Sequence, residues 1–187
     1  MNFRKKKVVA AGNKEVFLEH KRKKTWEDAS GHKCFMLYPR SLYITWGGHE
    51  YWIWNSFKDT SDENIEVAKL SHVCWLDVRG KFKLSDLSPG TLYEVVYEVK
   101  LTKGAFGWEH PIKLRLSLPN GRVQERQVSL LHKPRGQWIE LNVGNFRTNE
   151  NGETGEAGEV CFDLYEHDGG QWKHGLVVKS AILMPKN

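Results

Sequence analysis

The chain has 187 residues, of which 40% are hydrophobic and 27% are charged, and its formal net charge is +5. This length favours one domain with an extension, and the composition is ordinary for a folded soluble protein. No apolar run approaches the roughly 20 residues that a membrane-spanning helix needs, which excludes such a helix from the prediction.

The positive charge is concentrated near the N-terminus. Residues 1–24 contain nine Lys or Arg and two Glu, a net charge of +7, whereas the other 163 residues contain 19 basic and 21 acidic groups, a net charge of −2. We therefore predict a basic extension over residues 1–30 that is flexible or partly helical, with about three helical turns over Asn13–Lys24. The run Lys21–Lys24 has two interpretations, a nuclear-import or phosphate-binding patch and a solvated linker.

Two features of the sequence bear on the cellular compartment. The apolar stretch Val8–Ala11 has four residues, fewer than the roughly 7–15 of a signal-peptide core, so we expect no secretion by that route. Cys34, Cys74 and Cys161 are scattered, odd in number and without a Cys-x-x-Cys pair. This pattern favours a reducing compartment, the cytosol or the nucleus.

After the extension, residues 31–187 are predicted to form one all-β domain. Short runs that alternate apolar and polar residues are separated by Gly, Pro, Asn and Asp, which is typical of strands and turns. The weak signal for a single helical turn over Asp59–Asn64 is the exception. The predicted strands are Lys33–Leu37, Ser41–Trp46, Tyr51–Trp54, Ile65–Ala68, His72–Phe82, Thr91–Thr102, Ile112–Leu118, Val123–Leu130, Trp138–Val143, Gly158–Tyr165 and Gly175–Met184.

Two of the predicted strands have one clearly apolar face. Within Thr91–Thr102, apolar residues of one parity form a buried face, and Ile112–Leu118 alternates leucines with polar residues in the same way. Asn120-Gly121 then predicts a tight hairpin turn, which Pro119 lengthens. Because an amphipathic sheet must cover its apolar face with a second layer, these strands predict a β-sandwich.

Three of the eight tryptophans lie within nine residues, at Trp46, Trp52 and Trp54. Indole has a large apolar face and one N–H that needs a partner, so it suits a surface that is partly dry and partly wet. Alternation along the strand places Trp52 and Trp54 on one face. We predict that these three rings line a ligand-binding surface. Burial beneath the site is the alternative for Trp46. For Trp54, the sequence is consistent with both a ligand contact and burial.

Two further segments are candidates for ligand contact. Phe106 and Trp108 lie in a glycine-flanked loop after a predicted strand, and loops carry binding residues disproportionately. Trp172 and Lys173 follow Gly169-Gly170. Two roles fit this position, which are ligand contact at a loop tip and support of the last strand. Trp75 is predicted to lie in the core, and Trp138 is predicted to be a packing residue.

Three stretches of the sequence, taken together, resemble one protein family. They are Leu42–Trp46 with Tyr51–Trp54, Glu66–Leu70 leading to Cys74–Lys81, and Gly158-Glu159-Val160 through Trp172–Lys179. Read in this order, the chain from Cys34 to Asn187 resembles the plant phloem protein 2 family, the lectins of Nictaba type. Cys34–Arg40 is especially similar to the phloem members.

The resemblance implies a jelly-roll β-sandwich without enzymatic activity or cofactor. It implies binding of N-acetylglucosamine oligomers, chitin-type oligosaccharides and the cores of N-glycans, by a homodimer in the cytosol (the phloem sap) and the nucleus. Phloem members are also associated with RNA and filaments. The family positions proposed for sugar binding fall on Trp46 and Trp52, and two acidic positions fall on Glu159 and Glu166. The short Nictaba-type members lack the basic extension, so the resemblance implies no role for it.

The residues themselves favour binding over catalysis. Glu159 and Glu166 are seven positions apart, so on one strand they point to opposite faces and cannot form a facing glycosidase pair. The histidines lack metal-ligand spacing, so no metal is expected. Two alternatives to a lectin stay open, which are RNA binding through the basic arm and assembly as a filament subunit.

Overall fold

The computed structural model describes residues 15–48, 50–58, 64–150 and 158–186. These residues form thirteen β-strands and two short 3-10 turns, at Pro39–Ser41 and Leu84–Asp86. Within these ranges, no helix has the length and apolar character needed to cross a bilayer. The strands are β1 Val16–Leu18, β2 Lys23–Glu27, β3 Lys33–Leu37, β4 Tyr43–Ile44, β5 Trp52–Lys58, β6 Asn64–Leu70, β7 Leu76–Lys83, β8 Leu92–Phe106, β9 Ile112–Ser117, β10 Val123–Val128, β11 Trp138–Arg147, β12 Glu159–Glu166 and β13 His174–Pro185.

The strands form two antiparallel sheets. In the smaller sheet the order is β10-β9-β12-β7-β4. In the larger sheet, β13 pairs with β8 along one edge and with β3 and β6 along the other, while β11, β2, β1 and β5 extend it outward. The two sheets enclose a common hydrophobic core, which confirms the predicted β-sandwich.

The core follows the alternation of the strands. On β8, Tyr93, Val95, Tyr97, Val99 and Leu101 are all fully buried, as the pattern in Thr91–Thr102 predicts. The Tyr97 ring meets the ring of Phe162 on β12 edge to face, with centroids 5.9 Å apart. Each such side chain contributes about 1.5–3 kcal/mol by leaving water, so this contact layer holds the two sheets together.

The predicted hairpin after Ile112–Leu118 joins β9 to β10. Gly121 has a φ of +87°, which a residue with a side chain rarely adopts. The backbone N–H of Leu118 donates to Arg122 O at 2.9 Å. The connection is therefore longer than a two-residue turn, as expected from Pro119.

The described part of the extension is a β-hairpin, so the helix predicted over Asn13–Lys24 is wrong for residues 15–24. Strands β1 and β2 pair with each other, and β2 pairs with β3 at the edge of the larger sheet. Glu19, His20 and Lys21 have positive φ values that reverse the chain between them. Residues 1–14, and 59–63 of the predicted turn, lie outside the described residues.

Candidate functional site

Four loops meet at one end of the sandwich, which we call the aromatic end. They are residues 45–51 (of which 49 lies outside the described residues), 71–75, 107–111 and 167–173, which connect β4 to β5, β6 to β7, β8 to β9 and β12 to β13. Tyr51 O accepts hydrogen bonds from the backbone N–H groups of Ser71 (2.8 Å) and His72 (3.2 Å). Val73 and Lys173 exchange backbone hydrogen bonds of 3.2 and 2.8 Å. The loops therefore form one connected surface.

Four aromatic rings at this end are exposed. Trp46 is 56% exposed, Trp75 46%, Phe106 52% and Trp172 51%. Three of these, Trp46, Phe106 and Trp172, belong to the residues predicted from the sequence to contact a ligand. Rings of this size that keep about half their surface in water provide the flat apolar area that the sequence predicts.

Histidines hold three of the four rings in place. Trp172 stacks on His72 with centroids 4.2 Å apart, Trp75 on His167 at 3.9 Å, and Phe106 on His174 at 5.2 Å, with interplanar angles of 5°, 8° and 20°. His174 is itself fixed, because its Nδ1 lies 2.6 Å from Ser71 O. A ring held in this way loses less conformational freedom when a ligand binds, which favours affinity.

Trp46 is held by its backbone rather than by a histidine. Its φ of +59° places a non-glycine residue in the left-handed region, a conformation that costs about 1–3 kcal/mol. Its ring meets the edge of Tyr51 at a centroid distance of 5.2 Å. Trp54 Nε1 donates to Gly47 O at 3.2 Å, which fixes the next residue of the same loop. Backbone strain of this kind is concentrated at functional sites in proteins.

Trp52 and Trp108 are buried beneath the aromatic end, so the prediction that they contact a ligand directly is wrong. Each is 1% exposed, and neither ring can present a face to a ligand. Trp108 Nε1 donates to His174 O at 3.1 Å, and the backbone N–H of Trp52 donates to Gly48 O at 3.0 Å. They anchor the loops from inside.

Glu166 and Lys173 form a buried ion pair, which corrects their predicted role as ligand contacts. Lys173 Nζ lies 2.7 Å from Glu166 Oε2, and their side chains are 1% and 5% exposed, respectively. The Lys173 ammonium also donates to Cys74 O at 2.8 Å and to Gln171 O at 3.0 Å. The pair therefore ties the loop 167–173 to the loop 71–75.

The environment of Glu166 lowers the pKa of its carboxyl. Burial acts to raise the pKa, but the hydrogen bonds from Lys173 Nζ and the Gly169 N–H, together with the Lys173 charge, outweigh burial. Gly169 N donates to Glu166 Oε1 at 3.1 Å. Glu166 is consequently a charged structural group at neutral pH.

Glu159 does not belong to the aromatic end. It begins β12, whereas Glu166 ends the same strand, and seven steps of about 3.3 Å separate them by roughly 23 Å. Glu159 lies 4.0 Å from Lys81 Nζ. This separation exceeds the roughly 10 Å limit for a pair of glycosidase carboxyls, so these two residues cannot form one.

Trp54 lies at the margin of the aromatic end. The Arg40 guanidinium lies 3.7 Å from the centre of its ring, and Arg40 Nε donates to Glu66 Oε2 at 2.8 Å. The cation thus covers one face of the indole. Trp54 therefore supports the loop 45–51, and the face of its ring beside Arg40 is not open to a ligand.

Trp75 was also placed wrongly by the sequence prediction, because it is 46% exposed rather than in the core. A signal was present in the alternation of His72–Phe82. Trp75 has the same parity as Arg79 and Lys81, which face solvent. The histidines that stack on the rings had no recognisable sequence signal.

The described residues contain no group of three or more His, Cys, Asp and Glu side chains that could hold a metal ion.

Comparisons with known proteins agree with the resemblance seen in the sequence. The family model for Phloem protein 2 matches residues 32–185. Protein PHLOEM PROTEIN 2-LIKE A1 of Arabidopsis thaliana is 45% identical over 175 residues, covering 91% of this chain and 70% of its own. A lectin of Luffa acutangula is 42% identical over 180 residues (95% and 82%), and a lectin of Coccinia grandis is 37% identical over 150 residues (80% and 92%). The chain belongs to the phloem protein 2 family.

Proposed function

We propose that the chain is a lectin that binds N-acetylglucosamine oligomers, chitin-type oligosaccharides and N-glycan cores, at the aromatic end. The observation that carries the proposal is the set of four exposed rings at one end of the sandwich. Trp46, Trp75 and Trp172 lie on loops that are tied together, and Phe106 ends the adjoining strand β8. The relatives from Luffa acutangula and Coccinia grandis bear the name lectin, which supports the same function.

The rings supply the apolar part of such a site. A β-linked N-acetylglucosamine has a flat patch of C–H groups, and an aromatic ring laid against it gains dispersion and weak C–H contacts. At about 25 cal/mol per Å², burial of roughly 100 Å² contributes about 2.5 kcal/mol before ordering costs. One ring therefore binds weakly, and several rings suit an oligomer of sugars.

Polar groups beside the rings supply orientation. His72 and His167 stack on Trp172 and Trp75, and a histidine ring has nitrogen atoms that donate or accept hydrogen bonds. Sugar hydroxyls and the acetamido group need such partners. An apolar platform with a few polar groups is the usual composition of a small-ligand site.

The proposed activity is binding without catalysis, in the cytosol, including the phloem sap, and in the nucleus. A homodimer would place two weak sites on one particle and raise avidity through effective concentration. The sequence resemblance is the basis for these expectations.

RNA binding through the basic extension is the alternative to be tested. In the described part of that extension, Lys23 lies 3.2 Å from Glu19 and Lys24 lies 3.2 Å from Glu15. Both cations are paired within the chain, which reduces their use for phosphates. Phosphate binding would weaken steeply with salt, whereas binding of a neutral sugar would hardly change.

Calorimetric titration with chitotriose tests the proposal, at low and at moderate salt. We expect a micromolar to millimolar dissociation constant, equivalent to about 4–8 kcal/mol, at both salt concentrations. Trp172→Ala should weaken binding about tenfold, which is about 1.4 kcal/mol. Trp138→Ala, which removes a tryptophan that lies against Lys100 and Lys179 on the larger sheet, is the matched control. No heat with chitotriose, together with salt-sensitive binding of single-stranded RNA, would overturn the proposal.

A further inference from the structure

A groove of about 270 Å³ crosses the outer face of the smaller sheet, away from the aromatic end. Its floor is the central strand β12, whose outward residues Cys161 and Asp163 are short. Its walls are the longer side chains of the neighbouring strands, Arg79 and Lys81 on β7 and Arg115 on β9. The volume is just below the roughly 300–1,000 Å³ of sites for drug-sized ligands, so it suits one sugar residue.

The groove has a positive charge balance at neutral pH. Arg79 is paired with the buried carboxylate of Asp77 through hydrogen bonds of 3.0 and 2.9 Å. Burial first, and then the adjacent carboxyl of Asp77, raise the pKa of Asp163 to about 8. Asp163 is therefore mostly uncharged at pH 7. Arg115 and Lys81, of which Lys81 also lies 4.0 Å from Glu159, then supply the positive charge beside the groove.

One wall of the groove also carries an aromatic ring. Tyr43, on the edge strand β4, is 59% exposed, and Lys81 Nζ lies 5.6 Å from the centre of its ring. Ser117 contributes a hydroxyl on the opposite side. A ring, a hydroxyl and two cations together fit a ligand that has an apolar face, hydroxyl groups and a negative charge.

Carboxylates at the margins limit the length of the anion. Glu125 on β10 lies opposite Arg115 in the strand register, and Glu159 lies 4.0 Å from Lys81. A phosphodiester chain that extended beyond the groove would meet these negative charges. A single anionic group at the centre would not.

We propose that this groove is a second saccharide site, which binds a uronate residue, that is, a sugar that carries a carboxylate. The carboxylate pairs with Arg115 and Lys81, and the sugar ring lies against Tyr43. Arginine suits this role because its planar guanidinium can make two parallel hydrogen bonds to a carboxylate. The site is separate from the aromatic end and does not depend on its function.

Asp163 makes uronate binding sensitive to pH. The charged groups that face it are Asp77 and Arg79 from β7 and Arg115 from β9, and the hydroxyl of Tyr97 lies beneath. As the pH rises through about 8, Asp163 loses its proton and adds a negative charge to the floor of the groove. Binding of an anion should therefore weaken between pH 7 and pH 9.

Calorimetric titration with galacturonate and with its methyl ester tests the inference. At pH 7 we expect galacturonate to bind at least tenfold more tightly than the ester, which has the same sugar ring without the charge. Arg115→Gln should lower galacturonate affinity at least fivefold and leave chitotriose binding unchanged. Arg122→Gln, which removes an exposed cation from the β9–β10 loop, is the matched control and should have little effect.

Two further variants and two further ligands distinguish this site from other anion sites and from the aromatic end. Trp172→Ala should leave galacturonate binding unchanged, and Asp163→Asn should suppress the loss of binding at pH 9. Equal affinity for acid and ester, no binding of either, or tighter binding of inorganic phosphate or a single-stranded oligonucleotide would each overturn the inference. None of these outcomes would affect chitotriose binding at the aromatic end.

Discussion

The aromatic end and the outer-face groove use the same scaffold in opposite ways. At the aromatic end the rings are exposed on loops and at the end of β8, and the charges of Lys173 and Glu166 are buried beneath them. In the groove the cations are exposed on strands, and the carboxyls of Asp77 and Asp163 are partly or fully buried. Strand β12 contributes to both, through Glu166 at its end and Asp163 in its middle. The comparison teaches that one sandwich can expose rings at one place and cations at another, and our two proposals assign a neutral ligand to the first and an anionic ligand to the second.

The largest expected contrast is between Trp46, in the loop 45–51, and Trp52, which directly follows that loop. Trp52→Ala removes a buried ring and should lower the free energy of unfolding by about 3–5 kcal/mol. Trp46→Ala removes an exposed ring and should lower it by much less, while weakening chitotriose binding. Denaturant unfolding and calorimetry of both variants measure this. Similar loss of stability in the two variants would contradict the distinction between anchor and contact.

Breaking the buried ion pair should be almost as costly. Lys173→Met leaves the Glu166 carboxylate buried without its cation and should lower the free energy of unfolding by about 3–5 kcal/mol at pH 7. Lys113→Met is the matched control, because Lys113 makes an exposed pair with Asp168 in the same region. Its effect should be small.

The pH dependence of this pair has a definite sign. Because the pKa of Glu166 is lowered on folding, its stabilisation is present above the pKa in the unfolded chain and is lost as the pH falls through the folded value. The loss of stability in Lys173→Met should therefore shrink under acid conditions. A loss that is constant down to pH 3 would argue against the ion pair as its cause.

Asp163→Asn should change stability in the opposite pH range. The pKa of Asp163 is raised to about 8, so between the unfolded value of about 4 and pH 8 the folded chain binds more protons than the unfolded chain, and stability falls as the pH rises. Removing the carboxyl should raise stability at pH 8–9 by roughly 1–3 kcal/mol and flatten this slope. Thermal or denaturant unfolding across pH 5–9 measures the change. An unchanged slope would show that Asp163 titrates normally.

The smallest expected effect is on affinity at Trp75. Trp75→Ala should weaken chitotriose binding about tenfold, which is about 1.4 kcal/mol, with little change in stability because the ring is half exposed. Calorimetry with chitotriose and with galacturonate on the same variant separates the two sites. Weaker binding of galacturonate alone would contradict the assignment of Trp75 to the aromatic end.

Alternation predicted the strands well because it reports which residues leave water. The apolar residues of Thr91–Thr102 occupy the core face of β8, and the Asn120-Gly121 turn joins β9 to β10. Helical propensity was misleading in the extension, where pairing of β1 with β2 and then with β3 overrides it. Tertiary pairing of this kind is not visible in a local pattern.

The candidate site was predicted in part. Trp46, Phe106 and Trp172 are exposed as expected, but nothing in the sequence distinguished them from Trp52 and Trp108 in the core. Exposure depends on which loop folds over which, and this is set by long-range contacts such as Tyr51 O with Ser71 N. The groove was missed because its residues come from four strands that meet only in the folded sheet.

The central claim is that chitooligosaccharides lie on the rings of the aromatic end, and NMR of the tryptophan indoles tests it most directly. In a titration with chitotriose, the indole N–H signals of Trp46, Trp75 and Trp172 should shift and saturate together, at low and at moderate salt. The signals of Trp26 and Trp138, on the larger sheet, should stay in place. Shifts confined to Trp26 and Trp138, or no shift in any indole, would contradict the account.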